Sequence, residues 1–254
     1  MKYFVNEHSI VRQIWGKGDT ILFIFAGASA EFALNKAVDW LYYTGRLPAD
    51  PLGRLFSTVT YARGIVFSEY NQALQVIEKI AHIHKAVEDS RGAEIPQWSY
   101  RDVLFMLIDY SVRSFELLER KLSAQEKEEV FEVFYRMGTQ MGIKDLPASH
   151  EEWLPVRHQH LKEDLVKSKF TVDLYKQYRA HLGSIRYLIL KQAQVMLVPE
   201  LIRGLLGLGN IPYLLPALKI YKFTRIFRID QALRNAILPE AYKDQVKDLD
   251  VISV

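Results

Sequence analysis

The chain holds 254 residues, 49% of them hydrophobic and 25% charged, with 13 Gly and 9 Pro, a balance that excludes wholesale disorder and fibrous repeats. Lys and Arg number 33 against 30 Asp and Glu, a net charge of +3, short of the basic signature of a nucleic-acid binder. There is no Cys, which removes disulfides, thiolate metal sites, Cys nucleophiles and attachment of haem through C-x-x-C-H, and leaves transition-metal chemistry to seven His and the carboxylates.

The start, Met1-Lys2-Tyr3-Phe4-Val5-Asn6-Glu7-His8, lacks the apolar run of a signal peptide, so a cytoplasmic chain is expected. Residues 20–34 are apolar but short and contain Gly27, Ser29 and Glu31, which predicts a buried helix rather than a membrane span. A second apolar zone, 195–220, is broken by Pro199, Glu200, Arg203, Pro212 and Pro216. It is expected to wall a ligand pocket or to face a membrane peripherally, and not to cross one.

Helical patterns follow one another with no competing run of period-2 alternation. The first covers about 18–34, and a second covers 33–43 or merges with it. Thr44-Gly45 ends that stretch, and Asp50-Pro51 supplies an N-cap followed by Pro at the first helical position of a helix over 51–67. The next spans 70–88 and stops at Asp89-Ser90-Arg91-Gly92. Ser99-Tyr100-Arg101-Asp102 stands at the N-terminal edge of a helix reaching about residue 121. Ser123-Ala124-Gln125-Glu126 reads as a capping box, its helix ending near Gly138 or Gly142. Ser149-His150-Glu151-Glu152 repeats the device before a helix to about residue 168. Further helices are expected over 172–196 and 199–206, with shorter ones after Pro212. No repeat or low-complexity linker divides the chain, so a single all-α domain over 1–254 is expected.

Within 70–88, Ile77, Ile80, Ala81, His84 and Val87 recur at helical spacing and share one apolar face. Glu78, His82, Lys85 and Asp89 form a polar stripe. His82 and His84 therefore point about 160° apart and cannot share a metal. A buried His84 needs a carbonyl, a carboxylate or a metal as partner, and periodicity alone does not choose among them. On the preceding helix Arg54 and Thr58 stand at i, i+4 with Tyr61 one step further. This row is either an inward polar stripe facing a ligand or an exposed edge. His158, in line with Leu154, Leu161 and Leu165, is the second inward candidate. His150 and His160 fall on more charged faces, His181 lies beside Tyr178 and Leu182, and His8 is near the terminus. The P-loop, H-E-x-x-H, G-x-S-x-G and dinucleotide-binding signatures are absent.

The segment Asp50-Pro51-Leu52-Gly53-Arg54-Leu55-Phe56-Ser57-Thr58-Val59-Thr60-Tyr61 resembles the dP-x-x-R-x-x-x-T-x-x-Y block of the MpaB-like oxygenases, a family that includes the latex-clearing rubber oxygenases. Gly64-Ile65-Val66-Phe67 continues it, and Ile80-Ala81-His82-Ile83-His84-Lys85-Ala86-Val87 is similar to the family's i-x-x-x-H-x-x-V element. Residues 98–118, Leu122 to Glu129, Tyr135 to Gly142 with Leu146-Pro147, and Leu197-Val198-Pro199-Glu200-Leu201-Ile202-Arg203 follow in the family's order, so the likeness covers about 20–207.

The resemblance implies a globin-like all-α fold with a non-covalent haem b, His84 as iron ligand, and Arg54 and Thr58 beside the haem. With Tyr61 these are the expected cofactor-binding residues, and Arg54 and Thr58 the expected catalytic ones. It implies a haem-dependent oxygenase acting with O2 on an apolar, alkene-containing or isoprenoid small molecule, without nucleic acid. The rival readings are a non-catalytic haem or gas-binding protein, and a metal-free helical protein that binds an apolar ligand or a membrane surface. Three positions depart from the family. Ser57 stands where rubber oxygenases have Lys, Glu88-Asp89 replace a small residue and Gly, and only Glu31 and Asp39 lie near the place of their catalytic glutamate.

Overall fold

Five of the described helices begin where a side chain takes over a backbone N–H that the first turn leaves unpaired. In the computed structural model, which describes residues 2–224, Ser9 Oγ accepts from Val11 N ahead of α1 (Ile10–Trp15). Asp50 Oδ1 accepts from Gly53 N, with Pro51 opening α5 (Pro51–Val66). Ser123 and Glu126 close a full capping box on α8 (Ala124–Gln140). Ser149 caps α9 (His150–Glu163), but Glu152 turns back to Ala148 N instead of Ser149 N, so only half the expected box forms. Ser168 caps α10 (Lys169–Leu197). The remaining helices are α2 (Gly18–Phe32), α3 (Val38–Tyr43), α4 (Arg46–Ala49), α6 (Tyr70–Arg91), α7 (Gln97–Leu118), α11 (Glu200–Leu206) and α12 (Leu215–Thr224). Among the described residues there is no strand, only two isolated bridges, and the all-α class is as expected.

Three of the departures from the sequence reading have a clear local reason. α9 stops at Glu163 because residues 164–166 pair with 34–36: Val166 N donates to the Leu34 carbonyl and Lys36 N to that of Asp164. α7 stops at Leu118, since the Glu116 carboxylate takes Leu122 N and Lys121 Nζ and reverses the chain. α10 is broken at Gly183, whose φ of 71° is a conformation that side-chain-bearing residues avoid. α1 was not foreseen. Its six residues are too few to show a period, yet four of them are buried.

The core forms where α2 lies along α7, with α1, α5, α8 and α10 around the pair. Trp15, Phe105, Tyr110 and Phe134 are its largest fully buried side chains, and each buried Ile or Leu contributes about 1.5–3 kcal/mol. An ion pair stands inside it. The Arg157 guanidinium (4% exposed) faces the Glu31 carboxylate (1% exposed) through two 2.5 Å bonds. Tyr110 OH donates to Glu31 at 2.8 Å, and Arg157 reaches Asp109 at 3.2–3.3 Å. Burial opposes the charge on Arg157, but Glu31 and Asp109 outweigh it and keep the guanidinium protonated. Burial first, then Glu31, keeps Tyr110 a neutral phenol. Its ring reaches Glu31 by crossing Gly27, where a Cβ would come within 2.3 Å of Tyr110 Cδ1.

Two substitutions test this arrangement. Arg157→Met strands a buried carboxylate and should lower unfolding stability by about 3–5 kcal/mol, read from the urea midpoint. Replacing Glu31 by Gln in the same chain should restore part of the loss. Gly27→Ala should also destabilise, by displacing Tyr110, and a midpoint equal to wild type would contradict the account.

Candidate functional site

α5 and α6 are joined by three residues and pack side by side, which sets the N-terminal half of α5 beside the C-terminal half of α6. α5 is two-faced. Arg54, Thr58 and Tyr61 lie on one side and are half-buried, and Leu52, Leu55, Phe56 and Val59 lie on the other. Arg54 Nη1 donates to Ser57 Oγ at 3.1 Å and to Thr58 Oγ1 at 3.0 Å, and both hydroxyls bond back to the Arg54 carbonyl. Ser57, at the Lys position of the rubber oxygenases, thus holds the guanidinium and adds no second cation. Among the described residues no carboxylate lies within ion-pair distance of Arg54. Its pKa is lowered by burial and by the charge of Arg46, against the opposing effect of Tyr61.

His84 faces inward on α6 and is half-buried, while His82 is exposed, as their spacing requires. The His84 ring leans on Tyr100 with centroids 5.2 Å apart. Its Nδ1 is buried and has no hydrogen-bond partner among the described residues. Burial and the neighbouring Arg54 charge push its pKa down to about 4, against a smaller pull from Glu88. Glu88, one turn along, is engaged elsewhere: it accepts from Ile95 N at 2.9 Å and Tyr100 OH at 3.2 Å. Among the described residues, the site therefore joins a neutral imidazole with one unpartnered nitrogen to a cation with no carboxylate at ion-pair distance. A metal ion or hydrogen-bond donor at the imidazole and an anionic group at the guanidinium would satisfy these two features.

The apolar face of α5 meets a different space. A cavity of about 340 Å³ lies between α2, α5, α10 and α12, lined by Leu22, Phe25, Leu55, Val59, Leu190 and Leu218 among others, with Asp19 and Tyr221 at its polar edge. Met196, Leu214, Ala217 and Leu218 come from the apolar zone of the sequence, which does wall a pocket. Arg54, Thr58, Tyr61 and His84 do not line it. Ile211, Tyr213 and Ile220 of that zone are exposed. No helix among the described residues is long and apolar enough to cross a membrane.

The other sequence candidates are resolved by the ion pair in the core. α9 buries Trp153, Arg157 and Leu161, so Leu154 (50% exposed) and His158 face solvent, and His158 is not an inward residue. His160, expected on a charged face, is the inward one. Its Nδ1 contacts Asp102 Oδ1 and lies 3.1 Å from Asp164 Oδ2. The Asp164 carboxyl is raised by burial and by Asp102. His150 is half-buried against Trp153, and burial lowers its pKa. Glu31 is tied to Arg157, and Asp39 pairs with Arg91 at 2.7 Å.

The His84 environment gives acid sensitivity a definite sign. Its proton is less welcome in the folded state than in the unfolded chain, so the stability it governs is full above pH 6.5 and is lost as pH falls towards about 4. The loss is at most about 3 kcal/mol. His84→Leu should remove that part of the decline between pH 7 and pH 4.5 in denaturant titrations. An unchanged decline would contradict the neutral, desolvated imidazole.

No curated protein and no solved structure matches the chain. The model of one family, described as ER-bound oxygenase mpaB/B'/Rubber oxygenase, catalytic domain, matches residues 13–229. That span takes in every helix from α2 to α12, including the Arg54–Thr58 row, His84 and the cavity, and by it the chain belongs to the mpaB and rubber oxygenase catalytic-domain family.

Proposed function

We propose that this oxygenase domain depends on haem b and acts with O2 on an apolar, alkene-containing or isoprenoid small molecule. The observation that carries the reading is the desolvated imidazole of His84 beside Arg54, the one with an unpartnered nitrogen and the other without a carboxylate at ion-pair distance among the described residues. The donor set fits the group. His84 offers a ring nitrogen that is already unprotonated at neutral pH, so iron would not have to compete with a proton. Arg54 offers a desolvated guanidinium suited to a propionate. Haem, when bound, supplies the iron-centred oxygen chemistry.

The chain's own residues do the rest. Ser57 and Thr58 hold the Arg54 guanidinium in place through hydroxyls that are themselves anchored on the helix backbone. Thr58 thereby acts on Arg54 first, and Tyr61 borders the same row. The Tyr100 ring limits how His84 can turn, and Glu88 fixes Tyr100. On the other face of α5, about one helix diameter of 10 Å away, the cavity offers an apolar molecule an apolar lining.

Haem content and turnover test the two halves separately. In protein expressed with ample haem supply, wild type, His82→Ala and His158→Ala should carry equal haem with a Soret band. His84→Ala should lose it, and Arg54→Ala should bind it about 10-fold or more weakly. Full haem in His84→Ala with loss in His158→Ala would overturn the ligand assignment, and no Soret band in wild type would overturn haem dependence. Leu55→Trp should fill the cavity and reduce alkene-dependent O2 uptake while haem content stays at the wild-type level. Haem without any such uptake would point to a carrier or sensor.

A further inference from the structure

Asp102 on α7, and His160 and Asp164 at the end of α9, bring one nitrogen and two carboxylate oxygens to within 4.8 Å of one another. Both carboxylates address the same atom, His160 Nδ1. One nitrogen carries at most one hydrogen, and that hydrogen points along one line, so it can serve only one of the two acceptors well. The charges do not balance either. Two acids, with side chains 3% and 16% exposed, face at most one imidazolium. Neither has a Lys or Arg within ion-pair distance among the described residues; Lys36, whose charge acts on Asp164 from farther off, gives its Nζ to the Glu163 carbonyl. The other Asp102 oxygen takes only the neutral Asn35 amide, at 2.7 Å. A buried carboxylate pair left one charge short is costly.

We infer that Asp102, His160 and Asp164 hold a divalent d-block metal ion. A 2+ ion with a neutral imidazole cancels both carboxylates and gives each of the three donors a bond along its own lone pair. One nitrogen with two oxygens is a donor set for Zn2+, Mn2+ or Fe2+ rather than for Ca2+ or Mg2+, which take oxygen alone. The donors are held before any ion arrives. Residues 164–166 are zipped onto 34–36 by Lys36 N to the Asp164 carbonyl and Val166 N to that of Leu34, and Asn35 buttresses Asp102. The Phe105 ring stands edge-on to the His160 ring, with centroids 5.3 Å apart. The ion would clamp the end of α9 to α7 and to the α2–α3 link. It is separate from the His84 site: Tyr100, which touches His84, and Asp102 are two residues apart on α7, so they leave that helix about 160° apart.

The test is metal binding by the full chain after removal of metals with EDTA. Zn2+ and Mn2+ are titrated separately by calorimetry, and metal per chain is counted after desalting. Wild type should take up one ion per chain, with a higher thermal midpoint in its presence and a return to the metal-free midpoint on adding EDTA. Asp164→Asn, the most exposed of the three, should fold with no metal response. His84→Ala should keep the ion, which separates this site from any failure of the haem reading. Uptake that persists in both Asp164→Asn and His160→Gln would overturn the assignment. So would a wild-type chain that retains neither ion and whose midpoint ignores both, leaving the cluster an ion pair, and that result stands however the variants fold.

Discussion

Arg157 and Glu31 meet where water reaches neither, and much of the domain is arranged to let them. A buried ion pair is not in itself a source of stability, because desolvating both charges costs about as much as their attraction returns. Its force lies in the damage done when one partner is missing. That demand holds Tyr110 against Glu31, keeps residue 27 a glycine so that the ring can pass, and sets α2, α7 and α9 at one mutual rotation. Once Arg157 must point inward, the outward turn of Leu154 and His158 and the inward turn of His160 follow from helical spacing alone.

α5 carries the second constraint. One of its faces is apolar and closes a cavity against α2, α10 and α12. The opposite face holds a desolvated cation, steadied by two hydroxyls, toward His84. The cation has a consequence across the helix pair: with burial, it keeps the imidazole unprotonated at neutral pH. An unprotonated nitrogen and an anion-seeking guanidinium on two packed helices are what the proposed haem would use, and the apolar cavity what the proposed substrate would use. The family to which the chain belongs is that of an oxygenase catalytic domain.

Legibility in the sequence followed the length scale of the physics. Signals spanning a few neighbouring residues were readable: Asp50-Pro51, the Ser123–Glu126 box, and the opposed directions of His82 and His84 on one helix. The row Arg54–Thr58 is visible as a row, but that no carboxylate among the described residues comes within ion-pair distance of it is a fact of three dimensions. What failed was set by distant partners. The face of α9 was assigned from its leucines, whereas an arginine 126 positions from its glutamate decides it. The Asp102–His160–Asp164 cluster is hidden for the same reason: Asp102 is 58 residues from His160, and His160 sits in a run of charges that gives no hint of burial. α9 was drawn too long because the bridge between Asn35 and Leu165 leaves no periodic trace.

The claim on which the functional account turns is that His84 is an axial ligand seated in a preformed niche. Chemical rescue addresses it most directly. His84→Gly, prepared without haem, is mixed with haem in the absence and presence of free imidazole, and the Soret band and the iron–nitrogen stretch are followed by absorption and resonance Raman spectroscopy. The account predicts weak haem retention alone and recovery of both signals with imidazole, because the niche beside Arg54 and Tyr100 survives the loss of the ring. Wild-type haem retention and an unchanged iron–nitrogen stretch in His84→Gly without imidazole would contradict it.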